Sequence, residues 1–581
     1  MQGSLGSSGR VAVCWVWLGG VGLVLGACGD VGSSPDAGPG LSPLTLGGQS
    51  SGVDGEADTD EPFGGDTEID YLYISPAEAL LEIDLGVPTT QAYTVTAVLE
   101  DGGSMDVTDA VTWSISDPQV GAMTGATLEV PGFDASTFTS AILTAELDGE
   151  RGQAQVTIAA YRLAEDFFFV LPYEDGEGEQ TRPLTFSTGV KSMDVFVNMD
   201  TTGSMGGALS NLQSAMASTI IPGIQALVPD TQFGGGTFED FPLSNYGQAP
   251  SDQPFELFQE ITGDVAAVQD AVLGFSLGNG ADVPEANLEA LYQIATGAGI
   301  PNLPPTVVPP NASGIGGVGF REGSLPVVVS ITDAVSHDAV HNECGQAYSG
   351  AVAAVAHSRE QTLEALNGIC ARVVQIALGG GTCSALADGV MLAEGTDAQI
   401  PPEAWDIGGR PSGCQPGQCC TGYAGNGTAP NSEGLCPMAY LAQSNGTGVD
   451  TSFSSAIQML AAYGRFGVTS LTTGASADTE GTPLPAGMTT ADFIKAVTPF
   501  DHGAVPLPGV PDPTIGPASF ENVIPDTDVI FEVRAFNDLV EPTASPRLFV
   551  ANIEVLADDC GELDARDVFI LVPPAKLPPP G

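Results

Sequence analysis

The sequence predicts a multidomain chain: a central α/β doubly wound, Rossmann-like domain flanked by all-β sandwich domains. Three observations carry that expectation. Short alternating apolar runs, separated by Gly, Asp and Pro turns, fill residues 69–160, and similar runs return near the C terminus. Between about residues 191 and 500, buried-type strand runs alternate with segments whose apolar residues recur at helical spacing. The length of 581 residues is more than a single core usually serves.

The chain begins with an export signal over residues 1–27, where Arg10 precedes an apolar run from Val11 to Leu25 that is too short to span a bilayer comfortably. The run ends in Leu25-Gly26-Ala27-Cys28, which resembles the lipobox of bacterial lipoproteins. That resemblance implies cleavage before Cys28, lipid on Cys28, and a protein anchored in the bacterial cell envelope, at the outer membrane or cell surface. An ordinary cleaved signal, with Cys28 incidental, is the other reading. Residues 28–67 are Gly, Ser, Pro and acidic residues with little to bury, and read as a disordered tether. Such a linker has a reach of roughly 35 Å. No segment reaches the ~20 consecutive apolar residues of a membrane-spanning helix. Acidic residues number 72 against 15 basic ones, a formal net charge of -57. This disfavours nucleic acid and anionic membrane surfaces as partners, because their phosphates would be repelled, and no nucleic-acid partner is expected.

Residues 68–160 read as a β-sandwich, with strands at Tyr71 to Ile74, Tyr93 to Leu99, Val111 to Ile115, Ala141 to Leu147 and Ala154 to Ala159. Asp106-Val107-Thr108 followed by Val111-Thr112-Trp113-Ser114 resembles the bacterial immunoglobulin-like repeat family, which implies a spacer with Trp113 in its core. Residues 161–190 hold two more strand candidates, and residues 517–575 three. These flanks are expected to meet in a second sandwich with the α/β domain inserted between them.

The central domain, residues 191–500, opens with Met193-Asp194-Val195-Phe196-Val197-Asn198-Met199-Asp200-Thr201-Thr202-Gly203-Ser204-Met205. An apolar strand ends there in one carboxylate and two hydroxyls, ahead of a helix predicted from Ala208 to Ile221. Open α/β sheets place ligands at such strand ends, and oxygen donors suit a hard divalent cation. Two later stretches repeat the pattern: Asp282-Val283-Pro284-Glu285 before a helix, and Ser330-Ile331-Thr332-Asp333-Ala334 ending a strand. With all three, the chain resembles the von Willebrand factor type A family, and within it the I-like domain of integrin β subunits. The resemblance implies a metal-ion-dependent adhesion site holding Mg2+ or Mn2+ on Asp200, Thr202, Ser204 and Glu285, with Asp333 acting through a water.

It also implies a second, calcium-preferring site on Asp240, Asp282, the carbonyl of Pro284, and a bridging Glu285. The family's Asn in that loop falls here on Gly280, with Asn279 one place away. A third integrin site is not expected, because Gly207 and Ala208 stand where acidic residues would be needed. His337-Asp338-Ala339-Val340-His341 has a zinc-protease look with Asp for Glu, but no third ligand is evident, so both histidines are expected in a loop beside the metal site.

Further on, a helix is predicted from Ala347 to Leu366 and a buried strand from Val373 to Leu378. Residues 379–445 interrupt the alternation as a Cys-rich insertion, after which Thr451 to Tyr463 and Phe466 to Leu471 are expected to resume it. Beyond Cys14 and Cys28, eight cysteines remain: Cys344, Cys370, Cys383, Cys414, Cys419, Cys420, Cys436 and Cys560. In an exported chain an even number reads as disulfides of unassigned pairing. Five lie in the insertion, so full pairing needs a bridge out of it; a zinc knuckle on Cys414, Cys419, Cys420 and Cys436 is the rival. The expected function is cation-dependent binding of a protein that presents an Asp or Glu carboxylate, without enzymatic activity. An envelope scaffold whose metal only stabilises loops is the alternative.

Overall fold

In the computed structural model, residues 68–301 and 303–578 are described; the expected signal, Cys28 and the tether lie outside them. The chain is β-rich and built from several sheets. At its centre six strands, β1 (Ser192–Asp200), β2 (Asp230–Phe238), β3 (Glu256–Thr262), β4 (Leu325–Thr332), β5 (Arg372–Ala377) and β6 (Ala439–Leu441), form one sheet in the order β3-β2-β1-β4-β5-β6. Every neighbouring pair is parallel except β2 with β3. Alternate residues of β1 serve opposite faces, as strand geometry requires. Val195, Val197 and Met199 join one core with helices α1 (Gly206–Ala215), α2 (Val265–Gly274) and α6 (Val449–Tyr463). Phe196 joins the other, with α3 (Asn287–Thr296) and α4 (Arg359–Asn367). α5 (Ala385–Gly395) packs beside β5 and β6.

The run Gly234-Gly235-Gly236 inside β2 has a packing reason. A Cβ on Gly234 would stand 3.0 Å from the Phe196 ring, and one on Gly236 3.2 Å from it. Glycine in a strand interior marks such close approach.

The flanking strands do meet. Phe167–Val170 runs parallel to Gly561–Val572, and Gln180–Phe186 antiparallel to Val529–Ala535. The two pairs belong to different sheets, whose faces meet through Phe520 and Phe531, at 5.1 Å between ring centroids, while Phe186 packs beside Phe531 on one sheet at 5.9 Å. The expectation for Phe466 to Leu471 is corrected here: Phe466–Gly474 leaves the α/β sheet and pairs antiparallel with Arg547–Ala557 and Phe520–Val523. Its alternation of buried Phe466 and Val468 with half-buried Gly467 and Thr469 suits a sheet covered on one face, unlike the unbroken burial of β1, β4 and β5. Residues 379–445 are not wholly an insertion either, since they supply α5 and β6. The helix predicted from Ala347 to Leu366 is broken into Gly350–Ala353 and α4, because Ser358 and Gln361 form a reciprocal capping box that starts a new helix.

The N-terminal part carries strands at Ile69–Ser75, Thr94–Leu99, Thr112–Ile115, Thr137–Leu147 and Glu150–Tyr161. Gly152 lets two of them cross closely, for a Cβ there would meet the Leu72 carbonyl at 2.8 Å. Trp113 is only half-buried, beside Tyr93 at 6.1 Å.

All eight cysteines are paired: Cys344 with Cys383, Cys370 with Cys560, Cys414 with Cys420, and Cys419 with Cys436. The zinc-knuckle rival is thereby set aside, and the bridge out of the Cys-rich stretch is Cys344–Cys383. Cys370–Cys560 joins the central domain to the second sandwich. It does so at the amino ends of the parallel strands, where Lys191 also pairs with Asp564, Gly323 bridges Gly561, and Arg372 pairs with Asp558. The carboxyl ends are left facing the other way. Among the described residues, no helix is long and apolar enough to cross a membrane.

Candidate metal centre

Asp200 ends β1 and is fully buried. Its Oδ1 accepts from the Thr202 backbone N–H at 2.9 Å and the Thr202 hydroxyl at 2.7 Å; its Oδ2 accepts from the Thr332 hydroxyl at 2.6 Å. Thr332 was not singled out in the sequence, although its place at the end of β4, beside Asp333, was a usable signal. Burial is the largest influence on the Asp200 carboxyl and lifts it to about 6 against those three donors, with Asp333 adding repulsion. Ser204 lies exposed in the short 3-10 turn Gly203–Met205 that precedes α1.

Glu285 arrives from the loop ahead of α3. Its N–H donates to the Val335 carbonyl at 3.0 Å, and its own carbonyl accepts from the His337 N–H at 2.7 Å. This short parallel ladder zips the Glu285 loop to the loop after β4 and so sets Glu285, Asp333 and His337 on one rim. Below it, Asn287 Oδ1 accepts from Asn198 Nδ2 at 3.0 Å and from the Ser330 hydroxyl at 2.7 Å, tying α3 to β1 and β4. The Glu285 side chain is buried, and its Oε2 has no hydrogen-bond partner. Burial first, then Asp200, Asp240, Asp282 and Asp333, push its carboxyl up to about 11. No lysine or arginine pairs with Asp200, Glu285 or Asp333 among the described residues.

Gly280, where the resemblance asks for Asn, has a left-handed φ of 74°. A Cβ there would lie 3.2 Å from Glu285 Oε1 and 3.4 Å from Thr202 Cγ2, so the glycine keeps the space over both open. Asn279 turns away, its N–H donating to Asp252 Oδ1 at 2.9 Å; Asp252, unnoticed in the sequence, also takes the Gly280 N–H at 2.9 Å.

Asp240 follows the end of β2, fully buried. Its Oδ1 accepts from the Phe241 N–H and the Tyr348 hydroxyl, both at 2.6 Å. Its Oδ2 lies 3.1 Å from His337 Nε2, which is also 3.3 Å from Asp282 Oδ2. Despite the short distance, neither Asp240 Oδ2 nor His337 Nε2 has a hydrogen-bond partner. Burial alone would lower the His337 imidazole, but Asp240 and Asp282 outweigh it and raise the group to about 9. His337 is thus more than a bystander in the loop. His341 is half-buried and turned to Glu343 and Glu360, and residues 337–341 form no helix, so the two histidines do not converge as in a zinc protease.

Asp240, Asp282 and His337 form the one group among the described residues with ligand atoms all within 4.8 Å of one another. Asp200, Glu285 and Asp333 stand farther apart, a spacing open to a ligand set completed by hydroxyls and water. Pro284 is buried between the two groups. The donors around Asp200 fit a hard divalent cation: buried oxygens, an orphaned carboxylate oxygen, and no basic residue to offset the charge.

No protein-family model and no curated protein matches this chain. Among solved structures, it is similar at 10% identity to a von Willebrand factor type A protein from Catenulispora acidiphila, with a TM-score of 0.28 over 70% of this chain and 71% of that one. The pilus adhesin SpaC from Lactobacillus rhamnosus GG aligns in two crystal forms, each at 10% identity. One gives a TM-score of 0.27 over 68% of this chain and 46% of that one; the other, an open conformation, gives 0.26 over 84% and 55%. This chain therefore spans less than two thirds of the adhesin's length.

Proposed function

We propose that this chain binds a protein partner through a divalent cation, Mg2+ or Mn2+, held by Asp200, Thr202, Ser204 and Glu285, with Asp333 acting through a water. The observation that carries the reading is the buried, unpartnered Glu285 Oε2 beside Asp200, in a rim of carboxylates that no lysine or arginine neutralises. Carboxylates gathered in a desolvated pocket repel, and a cation from solution removes that cost. Thr202 donates its proton to Asp200 and keeps lone pairs for the ion, while exposed Ser204 sits where a partner approaches. A partner's Asp or Glu completes the shell and gains a charge-assisted contact that a free surface carboxylate lacks.

The surroundings support binding rather than catalysis, for Val283 and Val340 next to the rim are 74% and 70% exposed, apolar surface suited to a protein contact. A lipid on Cys28 holds the molecule at the bacterial envelope in this reading, with the N-terminal sandwich as spacer. The test is capture of partners from envelope extract in Mg2+ and in chelator, by wild type and Asp200→Ala. Partners retained only by wild type with Mg2+, and displaced by an acidic peptide, support the reading. A protein whose melting temperature follows Mg2+ but which captures nothing in a cation-dependent way is a scaffold.

A further inference from the structure

Asp240, Asp282 and His337 converge from three different loops, after β2, before α3 and after β4. The resemblance assigns the two aspartates to an all-oxygen calcium site, yet here a nitrogen donor stands between them. His337 is 2% exposed, and its Nδ1 lies 2.6 Å from the Gln346 carbonyl. A carbonyl only accepts, so Nδ1 carries the hydrogen and Nε2 is the atom free to bind something else. That Nε2 faces two carboxylate oxygens at 3.1 and 3.3 Å without making a hydrogen bond to Asp240. Ligands held tetrahedrally at ~2.0–2.1 Å from an ion are themselves about 3.3 Å apart.

The remaining contacts complete the pattern of a metal-bound histidine. The ring is fixed by a carbonyl behind it and stacked on Tyr348 at 4.2 Å between centroids. Tyr348 in turn holds the other oxygen of Asp240. Second contacts of this kind orient metal ligands and set their tautomer. Asp282, 35% exposed at its side chain, leaves the site open to solvent on one side, where an ion enters and a water takes the fourth position.

We infer that Asp240, Asp282 and His337 bind a borderline transition-metal ion, Zn2+ foremost, rather than the calcium ion that the resemblance implies. One imidazole and two carboxylates suit zinc, whereas calcium takes six to eight oxygens. The ion clamps the three loops that carry Asp240, Glu285 and His337, and so fixes the rim on which the adhesion reading depends. The zinc site itself stands on its own ligands and does not require that reading.

The experiment uses the full mature chain, stripped of metal and returned to excess Mg2+, which suppresses stray binding to its many surface carboxylates. Zn2+ and Ca2+ uptake are then titrated against a competing chelator. One tightly bound zinc per chain is expected, with calcium at equal concentration failing to displace it. His337→Gln lowers zinc affinity at least about 100-fold and Tyr348→Phe, which touches only a ligand's partner, about 10-fold. His341→Ala leaves it unchanged, and so does Asp200→Ala, which separates this inference from the adhesion reading. X-ray absorption of the zinc-loaded wild type must show one imidazole on the metal, a result that needs no variant to fold. Calcium uptake indifferent to His337→Gln, an all-oxygen zinc shell, or no bound ion at all with His337 serving as the site's own cation, each overturns it.

Discussion

The two ends of the central sheet treat charge in opposite ways. At the amino ends the chain spends its scarce basic residues: Arg321 holds Asp194 and Asp230 at 2.7 Å each, Lys191 holds Asp564 at 2.8 Å, and Arg372 pairs with Asp558 while donating to the Thr396 carbonyl at 2.7 Å. At the carboxyl ends Asp200, Glu285 and Asp333 gather with no such partner, and Asp240 and Asp282 have only His337. The chain has 15 basic residues in all, so their absence from the site is a distribution rather than a shortage spread evenly. Charge that serves architecture is neutralised internally, whereas the charge at the carboxyl ends has no basic partner within the chain beyond His337.

Four experiments put this contrast to the test. The amino end is the more costly to damage. Replacing Cys370 and Cys560 together opens a bridge across 190 residues, and loop-closure entropy puts the loss at about 5 kcal/mol. Chemical denaturation should show it equally with and without Mg2+. A loss that depends on metal would mean the two ends are not separate.

Next comes the metal. With free Mg2+ or Mn2+ a hundred times its dissociation constant, stability should rise by about 2.7 kcal/mol, and Asp200→Ala should remove most of that rise. A melting temperature blind to both chelator and Asp200→Ala leaves the carboxyl end with no ion to wait for.

The third is a pH dependence. Glu285 is raised to about 11 in the folded chain, from an ordinary value of 4.5. Such a raised group stabilises fully below its unfolded pKa, and that stability is lost as pH rises toward the folded value. His337, raised to about 9, acts with the same sign above its unfolded value. In chelator, thermal melts should therefore fall between pH 6 and pH 8. Glu285→Gln, neutral throughout, should reduce the slope by at most ~1.4 kcal/mol per pH unit and make the metal-free protein more stable than wild type at pH 8. An unchanged slope would place the repulsion elsewhere.

The smallest effect is expected from Thr202→Ala. It removes one neutral donor to Asp200 and one weak oxygen ligand, about 1 kcal/mol of the metal-dependent rise. A loss as large as that of Asp200→Ala would make the hydroxyl, not the carboxylate, the principal ligand.

Much of the local structure was legible in the sequence because it depends on neighbours along the chain. The period-2 runs from Tyr71 to Ala159, the apolar strand ending in Asp200, the helix after it and the parity of eight cysteines are all short-range or countable signals. So was the meeting of Asp200 with Thr202, two residues apart. Other features could not be read there, because their causes lie far away in the chain. Phe466–Gly474 has a strand's pattern in either sheet, and only its partners at Phe520–Val523 and Arg547–Ala557 decide which it joins. Spacing gave His337 the look of half a protease motif. Its loop follows β4 and is zipped to the Glu285 loop, and that alone carries Nε2 to Asp240 and Asp282 while Tyr348 holds Asp240 from behind. Residue type and alternation thus set which segments become strands and which side chains offer oxygen or nitrogen. Which donors come together is decided by the order of the strands, since a parallel sheet brings close loop ends that the chain itself keeps far apart.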